Sequence, residues 1–94
     1  KSGMSASYNN IGLAHVDMGN FNKAIESYLK ALKIFEEFSN KTSTKEIITG
    51  KNGMAISYNN IGIVYWNQGS LENALDYFSK ALNIWRSVFG EDRH

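Results

Sequence analysis

The chain has 94 residues, with ten Lys or Arg against nine Asp or Glu, a formal net charge of +1 and no block of like charge. This balance argues against nucleic acid or an anionic membrane as a partner, because binding to either depends on clustered positive charge. The sequence contains no Cys and no apolar run near the roughly 20 residues that span a bilayer, which excludes disulfides, thiolate nucleophiles and a membrane-spanning segment. No charged-then-apolar leader opens the chain, and cytoplasm is the expected location.

An internal repeat dominates the sequence. The hexad Ser-Tyr-Asn-Asn-Ile-Gly at residues 7–12 returns unchanged at residues 57–62, 50 positions later. Further identities at the same offset are Lys1/Lys51, Gly3/Gly53, Met4/Met54, Gly19/Gly69, Ala24/Ala74, Lys30/Lys80, Ala31/Ala81, Leu32/Leu82 and Ile34/Ile84. The chain therefore contains one structural unit twice, which is typical of repeat architectures.

The first copy opens with residues that recur at steps of three and four and so share one face of a helix from about Gly3 to Asp17. They are Met4, Tyr8, Ile11, Gly12 and His15. The pattern breaks at residues 18–20, where Gly19 suits the left-handed position after a helix end. Asn20 is expected to cap the next helix by accepting a backbone N–H with its side chain. We therefore predict a tight turn here.

A second predicted helix extends to about Ser39 and carries its apolar residues with the same period. They are Phe21, Ala24, Ile25, Tyr28, Ala31, Leu32, Phe35 and Phe38. Two amphipathic helices joined by so short a turn must lie antiparallel. The small residues Gly12, Ala24 and Ala31 lie where the two backbones would approach closely. Residues 3–39 are therefore predicted to form a helical hairpin.

A polar segment at residues 40–52 interrupts the helical period and is predicted to link two hairpins. Within it, Ser43 and Glu46 fit a capping box, so the next helix could instead begin early despite Gly50 and Gly53.

The second hairpin is predicted over residues 53–89 and repeats the first more cleanly. Its apolar and small positions are Met54, Tyr58, Ile61, Gly62 and Tyr65, followed after a Gln-Gly-Ser turn by Leu71, Ala74, Leu75, Phe78, Ala81, Leu82, Trp85 and Phe89. Gly90 is expected to end the last helix, and residues 90–94 are expected to form a short polar tail.

Both copies carry one spaced pattern. In the first, Tyr8-x2-Ile11-Gly12-x2-His15 precedes Ala24-x3-Tyr28 and Ala31; in the second, Tyr58-x2-Ile61-Gly62-x2-Tyr65 precedes Ala74-x3-Phe78 and Ala81. This pattern resembles the tetratricopeptide repeat (TPR), and its style is most similar to the TPRs of kinesin light chains and of bacterial signalling proteins. The copies depart from the family in lacking the first Trp and the closing Pro, and in a period longer than about 34 residues. The resemblance implies an all-α fold over residues 1–94, with four helices in two hairpins of an α-solenoid.

In TPR proteins the first helix of each hairpin lines a concave groove, and the resemblance implies the same here. The predicted peptide-binding residues are Asn9, Asn10, Leu13 and Asp17 in the first copy and Asn59, Asn60, Ile63, Trp66 and Asn67 in the second. An Asn amide offers a donor and an acceptor, so it can bond an extended peptide backbone without reading its sequence. The alternative is that the Asn pairs bond their own neighbours and hold the hairpins together. Trp66 is either an exposed anchor or buried between the hairpins.

The residues for catalysis or metal binding are missing. His15 stands where the second copy has Tyr65, which favours packing, and without Cys or a second internal His neither a metal site nor a nucleophile–base pair can be assembled. Some TPRs clamp a terminal carboxylate with basic residues, but residues 4–20 and 54–70 contain no Lys or Arg. We therefore expect no enzyme activity, no cofactor and no carboxylate clamp.

The sequence predicts a non-catalytic module that binds a protein or peptide partner in the groove; the alternative is a self-association element of a larger protein. Two repeats are fewer than the three or so that arrays usually need, so the last helix is expected to expose an apolar stripe. The stripe comprises Leu75, Leu82, Trp85, Val88 and Phe89. We therefore expect a homodimer, in which the long linker would permit helix exchange.

Overall fold

The computed structural model describes residues 2–90, with side-chain surroundings from residue 7 onward. This part consists of four α-helices: α1 (Ser2–Asp17), α2 (Phe21–Ser39), α3 (Thr44–Asn67) and α4 (Leu71–Phe89). Helix α1 packs on α2, α2 on α3 and α3 on α4. The predicted all-α fold of two helical hairpins is confirmed. The predicted polar tail after Gly90 lies outside the described residues.

The two hairpin turns have the same hydrogen-bonded geometry. Gly19 and Gly69 take the left-handed conformation, with φ of +79° and +80°. In each turn the residue after the glycine donates its N–H to a carbonyl in the last turn of the preceding helix: Asn20 to His15 at 2.7 Å, and Ser70 to Tyr65 at 2.9 Å. This is the Schellman motif, which satisfies the free carbonyls at a helix end. Gly19 therefore has the predicted role.

The side-chain cap predicted for Asn20 is wrong. Asn20 is the N-cap residue of α2, but its side chain makes no capping hydrogen bond, and only its carbonyl joins the helix by accepting the N–H of Ala24 at 3.0 Å. The preceding Schellman turn fixes the Asn20 backbone at φ −88° and ψ 71°, outside the extended region from which an N-cap side chain reaches the first helical amides.

Small residues let the two helices of each hairpin approach closely. Ala24, Ala31, Ala74 and Ala81 are buried completely or nearly so. A Cβ atom added at Gly12 would come within 2.7 Å of the Tyr28 ring, and one added at Gly62 would come equally close to the Phe78 ring. No larger residue fits at either glycine without displacing the ring, so the predicted role of the small residues is confirmed.

The second hairpin begins earlier than the predicted boundary at residue 53. Only residues 40–43 lie outside helices between the hairpins, and α3 begins at Thr44. Ser43 is its N-cap residue, and the Ser43 carbonyl accepts the N–H of Ile47 at 2.9 Å. The Ser43 side chain makes no capping hydrogen bond, so the capping box is not formed even though the helix begins where that motif placed it.

Packing on α2 explains why α3 includes two glycines near its start. Each glycine in a helix interior costs about 1 kcal/mol relative to alanine. Gly50 is buried, however, and a Cβ atom there would come within 2.6 Å of the carbonyl oxygen of Phe35 on α2. Gly53 lies against the ring of the same Phe35. The two glycines allow α3 to lie directly on α2, and the resulting contact offsets their low helix propensity.

The early part of α3 is also tied to α4. The indole N–H of Trp85 donates a hydrogen bond to the side-chain oxygen of Asn52 at 3.0 Å, in a partly buried position. Asn52 was predicted to lie in the linker, but it belongs to α3. This bond joins the first half of α3 to the last turns of α4.

The hydrophobic core lies between α2 and α3. Ala24, Tyr28, Ile61 and Val64 form one buried cluster, and partly buried side chains surround it: Val16, Phe21, Ile25, Tyr65 and Tyr77. Ile11, which was predicted to pack like Ile61, is instead 45% exposed, whereas Ile61 is fully buried. The reason is that α2 covers this side of α3, while no described helix covers the same side of α1.

We predict that Gly50→Ala lowers the free energy of unfolding by about 1–3 kcal/mol, the usual cost of overpacking a close contact. On helix propensity alone the same change would stabilise the protein by about 1 kcal/mol. Urea unfolding followed by circular dichroism measures the difference. Thr49→Ala, at the exposed neighbouring position, is the control and is expected to be neutral or slightly stabilising. If Gly50→Ala proved as stable as the control, the close approach of α3 to α2 would be refuted.

Candidate functional site

The nine residues predicted to bind a peptide lie on α1 and α3, and all but Trp66 form pairs at matching positions of the two copies. The exposed ones are Asn10, Leu13 and Asp17 on α1 and Ile63, Trp66 and Asn67 on α3. Asn9, Asn59 and Asn60 are half-buried. We refer to these nine residues together with Ile56 as the candidate face.

Four large apolar side chains on the candidate face are open to solvent. Leu13 and Trp66 are 55% and 56% exposed, and Ile56 and Ile63 are about 40% exposed. Ile56, Ile63 and Trp66 follow one another at helical spacing, so they lie on one side of α3. Trp66 is therefore an exposed side chain and not one buried between the hairpins. Its counterpart on α1, Val16, packs instead against the core.

The Asn side chains of the candidate face do not hold the hairpins together. Within the described residues, Asn10, Asn59 and Asn60 make no side-chain hydrogen bond, and the side-chain oxygen of Asn9 is buried without a partner. An amide oxygen removed from water without a hydrogen bond costs about 1–3 kcal/mol. Because this oxygen is buried, Asn9 does not present an acceptor to a ligand at the surface.

The candidate face carries little charge. Asp17 is the one ionisable residue among its ten members, and no Lys or Arg occurs in residues 54–70 of α3 and the following turn. The Asp17 charge also acts on α2: burial raises the pKa of the Tyr28 hydroxyl above its ordinary value, and the nearby Asp17 carboxylate raises it further. The face therefore presents apolar and amide groups with a weak negative potential at one end.

A tyrosine stack beside the core was not predicted from the sequence. The Tyr77 ring lies 5.6 Å from the Tyr65 ring and 5.9 Å from the Tyr58 ring, measured between centroids. The first copy has Ser27 in place of Tyr77 and His15 in place of Tyr65. The signal was present in the sequence, because the change from a small polar residue to an aromatic one at one repeat position indicates a local difference in packing.

His15 is half-buried, as its predicted packing role requires, and its Nδ1 atom is buried without a hydrogen-bond partner. Elsewhere in this hairpin, the Lys30 ammonium lies 5.7 Å from the centre of the Tyr8 ring, a cation–π distance. Within the described residues, no group of three His, Asp or Glu side chains is arranged to hold a metal ion.

Comparison with known protein families gives matches at both hairpins. Sequence models of the tetratricopeptide repeat match residues 5–38 and residues 53–94. The chain belongs to the TPR family. TPR repeats are generally protein–protein interaction modules, and the TPR arrangement explains why α1 and α3 occupy equivalent places. No curated protein and no solved structure matches the chain. No helix in the described part of this TPR chain is both long and apolar enough to cross a membrane.

We predict that the TPR fold loses stability as the pH rises above about 10. Burial raises the pKa of Tyr58 above its ordinary value of 10.0, and the charges of Glu36 and Tyr77 raise it further. The unfolded chain therefore releases the Tyr58 proton at a lower pH than the folded chain does. The stability that results is fully present below pH 10 and is lost as the pH rises through the pKa of the folded state.

Urea unfolding between pH 9 and pH 11 measures this loss. Tyr58→Phe is expected to make the decline with pH shallower, because the variant has no phenolic proton to lose at this position. The same variant at pH 7 is the control, because the Tyr58 hydroxyl does not titrate near that pH in either the folded or the unfolded chain. An unchanged slope in Tyr58→Phe would contradict the role given to this tyrosine.

Proposed function

We propose that this TPR chain is a non-catalytic module that holds an extended peptide segment of a partner protein along the candidate face of α1 and α3. The observation that carries the proposal is the exposure of Leu13, Ile63 and Trp66 on helices whose other sides are packed. Large apolar side chains grouped on one face of a soluble fold are typical of interaction sites.

The candidate face offers two kinds of contact to a peptide. Trp66 provides a broad, rigid surface, and an aromatic side chain of this size buries about 150–250 Å² when fully covered. Asn10, Asn59 and Asn60 provide amide groups that can donate to peptide carbonyls and accept from peptide N–H groups. Apolar side chains of the peptide would supply the affinity, and the amides would fix its backbone.

The charge of the candidate face restricts the chemistry of the partner. Helix α1 after residue 4 and α3 after residue 54 contain no Lys or Arg. They therefore offer no basic side chain to pair with a terminal carboxylate or with acidic side chains of a peptide. Asp17 would instead favour a basic residue at one end of the peptide. We therefore expect the bound segment to be apolar, internal to its protein and neutral or weakly basic.

The amide groups of this face favour peptide capture over self-association as its role. Leu13, Ile63 and Trp66 are open to solvent within a single chain, as a free binding face requires. A face used only between copies would be expected to carry apolar residues without the row of unpaired amides.

A displayed library of random dodecamer peptides, selected on the immobilised chain, supplies a probe for this face. Docking over Trp66 should shift its fluorescence emission to shorter wavelength, because the indole leaves water. Trp66→Phe should abolish the shift, since Trp85 is already partly buried and hydrogen-bonded to Asn52. Selected peptides that bind without any change in Trp66 emission would place binding elsewhere.

We predict that Trp66→Ala weakens binding of the selected peptide at least tenfold, which corresponds to about 1.4 kcal/mol. The unfolding free energy should change little, because the side chain is more exposed than buried. Isothermal titration calorimetry measures the affinity. Leu29→Ala is the matched control, because Leu29 is an exposed apolar residue on α2, away from the candidate face. Equal losses of affinity in the two variants would count against a site at Trp66.

We predict that Asn60→Ala weakens binding of the same peptide about fivefold while changing the free energy of unfolding by no more than about 1 kcal/mol, the scale of one net hydrogen bond. The amide has no partner among the described residues, so its removal should affect the complex and not the fold. If Asn60→Ala unfolded more readily and kept its affinity when folded, Asn60 would be structural.

A further inference from the structure

Helix α4 carries an apolar stripe that the described helices cover only in part, because Phe78 and Trp85 contact α3 while the other members are exposed. Its residues are spaced by four and three along the helix: Leu71, Leu75, Phe78, Leu82, Trp85 and Phe89. We call this stripe the α4 face. Four of its residues, Leu71, Leu75, Leu82 and Phe89, are between 46% and 60% exposed. Apolar side chains with this period are typical of a helix surface that receives another helix.

Helix α2 has apolar residues at five of the six matching positions, and there α3 packs against them. Leu32 on α2 is 8% exposed, whereas its counterpart Leu82 on α4 is 46% exposed. Tyr28 of the same stripe belongs to the buried cluster that includes Ile61 and Val64 of α3. The contact between α2 and α3 therefore shows which kind of surface fits the α4 face.

That fitting surface occurs a second time, on α1. Ser7, Ile11 and Ala14 occupy the positions that Ser57, Ile61 and Val64 occupy on α3. We call these three residues the α1 face. Ser57, Ile61 and Val64 are fully buried, but all three residues of the α1 face are exposed. The described residues thus display both halves of this internal interface, one on α1 and the other on α4.

We propose that the α4 face binds the α1 face of a second copy of this chain and so repeats the contact that α2 makes with α3. The residues of the α1 face are uncharged, and those of the α4 face are apolar, so their contact would bury no unpaired charge. The occupant is a second copy because α1 carries the same hexad, Ser-Tyr-Asn-Asn-Ile-Gly, with which α3 packs against α2.

This contact is head-to-tail, which distinguishes it from the dimer expected from the sequence. Each copy uses a different surface from its neighbour, so every open complex retains one free α1 face and one free α4 face. A contact of this type extends into a row of copies unless the rotation between copies closes a ring. Neither end face includes any of the nine residues proposed to bind a peptide, so the two proposals succeed or fail separately.

Two substitutions block one end face each. Leu75→Glu places a charge on the α4 face and leaves the α1 face intact, and Ile11→Glu does the reverse. Both residues are about half exposed, so the charge can remain in water in the single chain. Leu29→Glu adds the same charge on α2, outside both end faces, and is the control. Circular dichroism establishes that each variant is folded; Leu71→Glu and Ala14→Glu replace any variant that is not.

Sedimentation velocity and light scattering of the chain over a range of micromolar to millimolar concentrations test the proposal. The average mass of the unsubstituted chain and of Leu29→Glu should rise past twice the 10.6 kDa of one copy. Leu75→Glu alone and Ile11→Glu alone should each remain at the mass of one copy. An equal mixture of the two should reach twice that mass and stop, because only one intact pair of faces is available.

Three results would overturn the proposal. If the unsubstituted chain stays monomeric throughout, the α4 face does not bind a second copy. If Ile11→Glu alone still dimerises, the α4 face pairs with itself or the copies exchange helices. If both single variants are monomeric and their equal mixture is also monomeric, the two end faces are not complementary.

Discussion

Each helix-to-helix contact in this chain depends on a glycine that lies against an aromatic ring. Gly12 on α1 faces Tyr28 on α2, Gly53 on α3 faces Phe35 on α2, and Gly62 on α3 faces Phe78 on α4. A side chain at any of these glycines would collide with the ring. The contact between the glycine backbone and the ring therefore sets the distance between the helices. The remaining core residues are mostly alanines and partly buried apolar groups that fit around these three contacts.

Much of this architecture could be predicted because the signals were local and occurred twice. The periodic apolar residues and the left-handed glycines at positions 19 and 69 defined four helices and two turns, and the small residues showed where the helices of each hairpin meet. The start of α3 could not be fixed in the same way. Gly50 and Gly53 lower the helix propensity of their own segment, and only the surface of α2, distant in sequence, reverses that preference. The failed cap at Asn20 has a similar origin, because the preceding turn had already determined its backbone angles.

The candidate face shows how two copies of one repeat come to differ in role. Nine of its members were predicted from the sequence, because Asn and apolar residues recur on the first helix of each hairpin, and their binding of a peptide stays a prediction. How the exposed apolar surface divides between α1 and α3 could not be predicted, because it depends on which side chains are buried. At the equivalent position of the two copies, Val16 packs against the core whereas Trp66 is exposed. Helix α3 therefore offers a partner more apolar surface than α1 does. The tyrosine stack of Tyr58, Tyr65 and Tyr77 lies beneath the second copy alone and supports the helix that carries Trp66.

The dependence of the start of α3 on tertiary contact has a consequence for the order in which the chain opens. A segment with two interior glycines has little tendency to remain helical once it leaves α2. Its backbone amides should therefore exchange their hydrogens with water through local opening, at a lower free energy than those of the middle of α3, where Ile61 and Val64 are fully buried. Since Asn52 is hydrogen-bonded to Trp85, such an opening would also release the last turns of α4. The two segments should behave as one cooperative unit, although one precedes the second hairpin's turn and the other ends its last helix.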